Sequence, residues 1–300
     1  MSEVVTLNTE KAKSIVPKLI EAWDTNRVLR PNNLPQNRFL SEEISKGSLE
    51  HRNFLFAIAA AMKARVNSDD VFIAFRNIYG NNPLIFSPEY LWKFGELAYI
   101  VVLNAIEKET RIFEVEKVAR SWTETANALA KFDFDPLNIF KGVVCAYDVV
   151  AILKKLFGWG EKTIRLLIVW FEEAGFIERL HGAPPFDFHF FRNSLLLNFW
   201  EIEGLTPDLT MRVDKAIRLA LPQFENFCEQ SKILTFELDA VMWLLSRVLC
   251  VNKYKSPALC QAYCPVVDLC TGPFIRYRDY RNSILKLYQG NTSEFDLFAK

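Results

Sequence analysis

The chain has 300 residues, half of them hydrophobic, and its 36 Lys and Arg residues balance its 36 Asp and Glu residues. This length can bury one large hydrophobic core or two smaller ones. Zero net charge disfavours a protein that binds nucleic acid through a broadly basic surface, so a nucleic-acid site would be local or would use backbone N–H groups. The longest apolar run, Phe54 to Met62, is too short to span a membrane, so we expect no membrane partner.

Glycine and proline are sparse, and apolar residues recur mostly at helical spacing. Thr9 is expected to cap a helix that runs to about Asp24, and Pro31 and Pro35 to break the chain in a loop. Further helices are expected over 48–66, 67–80, 88–107, 114–131, 144–157, 161–174, 188–200, 207–221 and 236–250. Because no β-hairpin or repeat is evident, the predicted fold class is all-α. The predicted segments are an N-terminal helix and loop (1–47), a helical core (48–249) and a cysteine-bearing loop with a tail (250–300).

The helices predicted over 144–157 and 161–174 are separated by a glycine, a tryptophan and a second glycine. Two helices joined in this way form a helix-hairpin-helix, whose glycines permit positive φ and leave backbone N–H groups uncovered. Those groups and the positive end of the second helix can bind a phosphate. The candidate nucleic-acid contacts are Gly158, Trp159, Gly160 and Thr163. A plain glycine turn between two helices explains the same residues, and packing on the hairpin is favoured for Trp159 over insertion beside a strand.

Two stretches carry a resemblance to a known family. The hairpin sequence GWGEKTIRLL (158–167) resembles that of the helix-hairpin-helix DNA glycosylases, the 8-oxoguanine glycosylases in particular, and Lys162 stands where those enzymes have a nucleophilic lysine. Downstream, PPFDFHFFR (184–192) is similar to the family segment that supplies an essential aspartate, matched by Asp187, and a following histidine, matched by His189. The resemblance covers about residues 48–275 and implies a two-lobed helical bundle.

The resemblance also implies a chemistry. Cleavage of an N-glycosidic bond passes through an oxocarbenium-like state, which a carboxylate such as that of Asp187 stabilises. A neutral Lys162 amine would attack the sugar carbon and form a Schiff base that permits strand cleavage. Alternatives stay open: Asp187 as a helix cap, Lys162 as a solvated lysine with Asp187 then activating water, and His189 as a supporting or a structural residue.

Four of the six cysteines lie within 21 residues, at Cys250, Cys260, Cys264 and Cys270. Four thiolates with short gaps indicate metal ligation in a reducing compartment, either a [4Fe–4S] cluster or, alternatively, zinc. Iron–sulfur members of the same superfamily carry four cysteines in a similar place, and the gap of five residues before the last one matches. Cys145 and Cys228 are expected to be buried as small apolar residues. A local basic patch is one interpretation of Lys253, Lys255, Arg276, Arg278 and Arg281.

These features predict a base-excision DNA glycosylase, with or without AP-lyase activity, that acts as a monomer on duplex DNA with a lesion. One alternative is a hydrolase of free or RNA-derived nucleosides, similar to the queuosine-salvage glycosylases, which the zero net charge favours. Another is a non-catalytic nucleic-acid-binding protein that retains the hairpin. Because the first residues, MSEVVTLNTEKAK, lack the features of a secretory signal, we expect a cytoplasmic location.

Overall fold

The computed structural model describes residues 4–25, 34–62, 68–109, 114–203, 211–246, 262–270, 274–277 and 284–288. The described chain is mostly helical, as the sequence predicts. It divides into two compact units, a middle unit (Pro31–Leu180) and a terminal unit (Met1–Arg30 with His181–Lys300). This division runs differently from the predicted segments, because the N-terminal helix packs with the second half of the chain. Among the described helices, none has the length and apolar character needed to cross a membrane.

The helices and strands follow one another along the chain with few long gaps. They are β1 (Val4–Leu7), α1 (Thr9–Asp24), α2 (Pro35–Arg38), α3 (Leu49–Ala61), α4 (Ser68–Asn81), α5 (Pro88–Phe94), α6 (Leu97–Glu109), α7 (Val115–Ala128), α8 (Ala146–Phe157), α9 (Glu161–Glu173), α10 (Phe188–Leu196), β2 (Trp200–Glu203), β3 (Met211–Arg212), α11 (Val213–Gln230), α12 (Thr235–Leu244), β4 (Phe274–Tyr277) and β5 (Ile284–Tyr288). Short 3-10 helices cover Pro83–Phe86, Leu129–Phe132, Pro136–Phe140 and Val267–Leu269.

In the middle unit, α3 lies in the core. The Ser48 hydroxyl accepts from the His51 backbone N–H and caps the helix, and the residues from Phe54 to the end of α3 are buried. Burial of this kind is typical of a helix that is apolar on nearly every side, as α3 is. Aromatic rings from α3, α4, α7 and the 3-10 helix Pro83–Phe86 pack together. They include Phe54, Phe75, Tyr79, Phe86 and Trp122.

In the terminal unit, β1 pairs antiparallel with β2, from Val4 opposite Glu203 to Leu7 opposite Trp200. Helices α1, α10, α11 and α12 enclose an apolar core whose aromatic members are Phe186, Phe190, Phe191, Phe199, Trp200, Phe224 and Phe227. A second small sheet has the strand order β3-β5-β4, with antiparallel pairing throughout. Both sheets are additions to the purely helical fold that the sequence predicts.

Three of the differences between the predicted and the observed helices have a local explanation. The cap of α1 is Asn8, whose side chain accepts from the Lys11 N–H at 3.0 Å, rather than Thr9. The helix predicted over 88–107 is two helices, because Gly95 takes φ +55° between α5 and α6. Helix α11 continues through Pro222, where the prediction ends near 221; buried residues on both sides of the proline keep the helix packed, which offsets its missing N–H.

Candidate functional site

The glycine turn joins α8 to α9 in the middle unit. Gly158 ends α8 in the left-handed conformation, with φ +60°, and its N–H donates to the Lys154 carbonyl at 3.0 Å. Gly160 is the N-cap of α9, and because it has no side chain, α9 begins without a side-chain cap. Helix, Gly-Trp-Gly and helix thus follow in the expected order, with boundaries within two residues of the predicted ones.

The side chains around the turn differ in access. Trp159 is only 1% exposed, and its ring lies 5.1 Å from those of both Phe56 and Phe157. Trp159 therefore packs on the hairpin, as the sequence favours. Its insertion beside a nucleic-acid strand would require the ring to leave a core. The Thr163 side chain is also buried, whereas both glycines are exposed. The accessible surface of the turn is therefore its backbone.

Lys162 lies in the first turn of α9 with an exposed side chain. Beside it, Glu161 is tied back to α8, since its Oε1 lies 2.7 Å from the Nζ of Lys154. The ion pair spans the glycine turn, and it keeps one acidic side chain at the start of α9 partly neutralised. Because the Lys154 side chain is exposed and that of Glu161 is only half-buried, we expect the pair to contribute under about 1 kcal/mol to stability.

Asp187 caps α10 in the terminal unit. Its Oδ1 accepts from the backbone N–H groups of His189, at 2.8 Å, and Phe190, at 3.0 Å. The side chain is half-buried, so the carboxylate is held at one place at the positive end of the helix. The capping role considered for Asp187 is therefore present, and a fixed carboxylate is also what the predicted chemistry requires.

His189, also half-buried, contacts a serine that the sequence did not single out. Its Nδ1 lies 3.0 Å from the Oγ of Ser246, two residues beyond α12. The Arg192 guanidinium donates to the same Oγ at 2.7 Å and to the Ser246 carbonyl at 3.1 Å. Arg192 ends the stretch 184–192 but has no predicted role there, and Ser246 lies far along the chain, so only the fold brings the two residues together.

Two of the four clustered cysteines fall on described residues. Cys264 and Cys270 are half-buried against the core of the terminal unit, and the Cys270 thiol donates to the Leu196 carbonyl at 3.4 Å. Cys250 and Cys260 lie outside the described residues, as do Lys253, Lys255, Arg278 and Arg281. Within the described ranges, no three His, Cys, Asp or Glu side chains lie close enough to hold a metal ion.

The two remaining cysteines behave differently from each other. Cys228 is buried, as predicted. Cys145 is only half-buried and precedes α8, so the prediction of a buried apolar residue was wrong for it. Its thiol donates to the Asp148 carboxylate at 3.1 Å, and partial burial raises the pKa of this thiol.

The structure assigns the predicted site residues to different units. Lys162 and the glycine turn belong to the middle unit, and Asp187, His189 and the described cysteines to the terminal unit. Comparison with known protein families and with curated proteins finds no match to this chain.

Proposed function

We propose that the protein is an N-glycosidase of the helix-hairpin-helix type that releases a base from damaged duplex DNA. The observation that carries the proposal is the Asp187 carboxylate, which two backbone N–H groups hold in a fixed place at the start of α10. A fixed negative charge stabilises an oxocarbenium-like state without reorganising at the moment of reaction. The same carboxylate can activate the water that replaces the base.

Gly160 supports a role for the turn in binding a nucleic-acid backbone. Its φ of −70° suits any residue, and a Cβ at this position would meet nothing within 4 Å. Neither backbone conformation nor packing therefore requires glycine there. What glycine does provide is an uncovered helix start, where N–H groups and the helix dipole favour a phosphate. Binding of this kind needs little basic charge and is compatible with zero net charge.

The exposure of Lys162 bears on the lyase step. Water favours the charged form of an amine, and a lysine must be neutral to attack the sugar. The Lys162 side chain is exposed, so bound DNA would have to exclude water from its amine before attack. We accordingly assign base release to Asp187 and treat Schiff-base formation by Lys162 as a second, substrate-dependent activity.

We further propose that Cys250, Cys260, Cys264 and Cys270 hold a [4Fe–4S] cluster, with zinc as the alternative. Cys264 and Cys270 support this because both thiols lie at the edge of the terminal-unit core. Four thiolates at such an edge would fix a loop to the core, which is a structural role. No step of the proposed reaction passes through the metal.

Base release from duplexes that each contain a defined lesion tests the proposal. Asn caps helices as well as Asp does, so Asp187→Asn keeps the cap and removes the charge. We expect this variant to unfold at the wild-type temperature and to lose about 100-fold or more in base release. Asp187→Ala should lose both stability and activity. If Asp187 only caps α10, the Asn variant will stay active.

Borohydride trapping on the same duplexes tests Lys162. A covalent complex that disappears in Lys162→Ala, but persists in Lys155→Ala, would identify the nucleophile; Lys155 is an exposed lysine near the end of the neighbouring α8. Base release without trapping would leave Asp187 as the hydrolytic residue and remove the lyase activity. Absence of base release from every duplex would contradict the DNA glycosylase proposal.

A hydrolase of free or RNA-derived nucleosides is the second candidate, favoured by the zero net charge. It would share the requirement for Asp187, because the bond it breaks is the same. Affinity for duplex DNA separates the two. Micromolar or tighter binding at physiological salt would count against the nucleoside hydrolase.

A further inference from the structure

His189, Arg192 and Ser246 form a polar cluster between α10 and the residues that follow α12. Ser246 has no exposed surface, so water cannot satisfy its hydroxyl group. Asn193 joins α10 to α12 itself, since its Nδ2 donates to the Met242 carbonyl at 2.9 Å. The cluster therefore sits in a fixed part of the terminal unit, and its member His189 lies two residues after Asp187.

The hydrogen atoms in this cluster can be assigned by counting donors and acceptors. Arg192 can only donate, so the Ser246 Oγ must accept at their 2.7 Å contact. The Ser246 hydroxyl hydrogen then needs an acceptor of its own, because a buried hydroxyl without one is costly. Among the described residues, the other partner of this oxygen is the Nδ1 of His189 at 3.0 Å. The hydroxyl therefore donates to Nδ1, and the His189 ring carries its hydrogen on Nε2.

We infer that Ser246 is a positioning residue that holds His189 in the Nε2–H form. In this form, Nδ1 accepts the hydrogen bond from the Ser246 hydroxyl, and Nε2 carries a hydrogen that it can only donate. His189 then offers an N–H group to an acceptor atom of the substrate, and the base role falls to Asp187. The role toward substrate rests on the proposed function, whereas the assignment of the hydrogens does not.

Nitrogen NMR of the full chain labelled at histidine tests the assignment without any substrate. The chain has three histidines, so His189→Gln identifies the signals of interest. We expect the wild-type Nδ1 of His189 to appear unprotonated and hydrogen-bonded, with the hydrogen on Nε2. Ser246→Ala should move the Nδ1 signal to that of an unprotonated nitrogen without a hydrogen bond.

Ser194→Ala is the matched control. Ser194 is also fully buried, and its hydroxyl donates to the Phe191 carbonyl and accepts from the Trp200 Nε1–H, each at 2.7 Å. Its loss removes a buried hydroxyl of the same unit without touching His189, so the Nδ1 signal should stay in place. A protonated Nδ1 in the wild type, or an Nδ1 signal that Ser246→Ala leaves unmoved, would overturn the inference.

Activity supplies the second readout. On a duplex from which the wild type releases a base, Ser246→Ala should lower the kcat of base release by about tenfold, the loss expected for one hydrogen bond. Ser246→Thr keeps the hydroxyl and should restore most of that loss. A shifted Nδ1 signal together with unchanged kcat would overturn the role toward substrate. If no nucleic acid is cleaved, the proposed function fails, but the nitrogen spectra still decide the assignment.

Discussion

His51 is buried in the middle unit, and its surroundings disfavour a charge. His51 is only 6% exposed. Its Nδ1 accepts from the Gly47 N–H at 3.3 Å, and its ring contacts the Phe176 ring edge-on, with 5.0 Å between the ring centroids. Burial, then the positive charges of Lys46 and Arg52, lower the pKa of His51 from 6.5 to about 4. The folded protein therefore keeps this ring neutral at pH values where the unfolded chain protonates it.

We predict that the free energy of unfolding falls as the pH decreases from about 6.5 to about 4. Above this window His51 is neutral in both states and contributes no pH dependence; within it, the unfolded chain binds the extra proton and is favoured. The loss is at most about 3 kcal/mol and levels off below pH 4. Urea denaturation at several pH values measures it.

The variant His51→Gln removes the titrating group, so the decrease over this window should shrink. His181→Gln is the matched control, because His181 is exposed in the terminal unit. An equally steep pH dependence in His51→Gln and the wild type would show that other groups cause it.

Single residues were predictable where their partners are close in sequence. The cap by Asp187 follows from an aspartate just before an apolar helical segment, and the backbone N–H groups that donate to it lie two and three residues away. The contact between His189 and Ser246 joins residues 57 positions apart, so no local pattern reveals it. Cys145 was misjudged because its position before α8 leaves its thiol partly in solvent.

Gln223 of α11 supports the outer edge of β1. Its Oε1 accepts from the Leu7 N–H at 2.9 Å, and its Nε2 donates to the Val5 carbonyl at 2.7 Å. One side-chain amide thus satisfies the two backbone groups that a further strand would otherwise pair. This contact joins the N-terminal strand to a helix more than 200 residues away.

We predict that Gln223→Ala lowers the free energy of unfolding by about 1–3 kcal/mol, because it leaves two partly buried backbone groups without their partner. Gln223→Glu should also destabilise, since its carboxylate would face the Val5 carbonyl. Gln230→Ala is the control: on the same helix, the exposed side chain of Gln230 donates to the Asn226 side chain at 3.1 Å. Urea denaturation and hydrogen exchange of the Leu7 amide measure the effect, and equal stability of Gln223→Ala and Gln230→Ala would contradict it.

At the scale of elements, helices were predicted better than strands. Helical spacing is visible within one turn, so α8 and α9 were placed within two residues. β1 and β2 are four residues each and pair across nearly 200 positions, so neither shows a local alternation long enough to detect. The break at Gly95 was missed because a single exposed glycine is compatible with a continuous helix.

At the scale of the molecule, the terminal unit combines both ends of the chain. Its core unites α1 with the helices that follow residue 181, which no division of the sequence into consecutive segments can anticipate. The first predicted segment (1–47) is therefore divided, with residues 1–30 in the terminal unit and residues 31–47 in the middle unit. The cysteine loop and α10, which carries Asp187, are part of the same unit.

The metal content of the protein tests whether the four clustered cysteines of that unit bind a metal. Anaerobically purified protein should contain about four iron and four sulfide ions per chain and absorb visible light, as [4Fe–4S] proteins do. Because Cys264 and Cys270 lie against the core, loss of the metal should also lower the unfolding temperature. Cys264→Ser and Cys270→Ser should reduce both metal content and stability.

Cys145→Ser is the control for those variants, because Cys145 lies in the middle unit and contacts Asp148 rather than another cysteine. It should retain the full metal content. One zinc ion per chain without visible absorbance would assign the four thiolates to zinc and leave their structural role intact. A metal-free protein whose unfolding temperature a chelator leaves unchanged would contradict the ligand assignment. The fold would then hold the loop at 262–270 through the packing of Val266 and its neighbours alone.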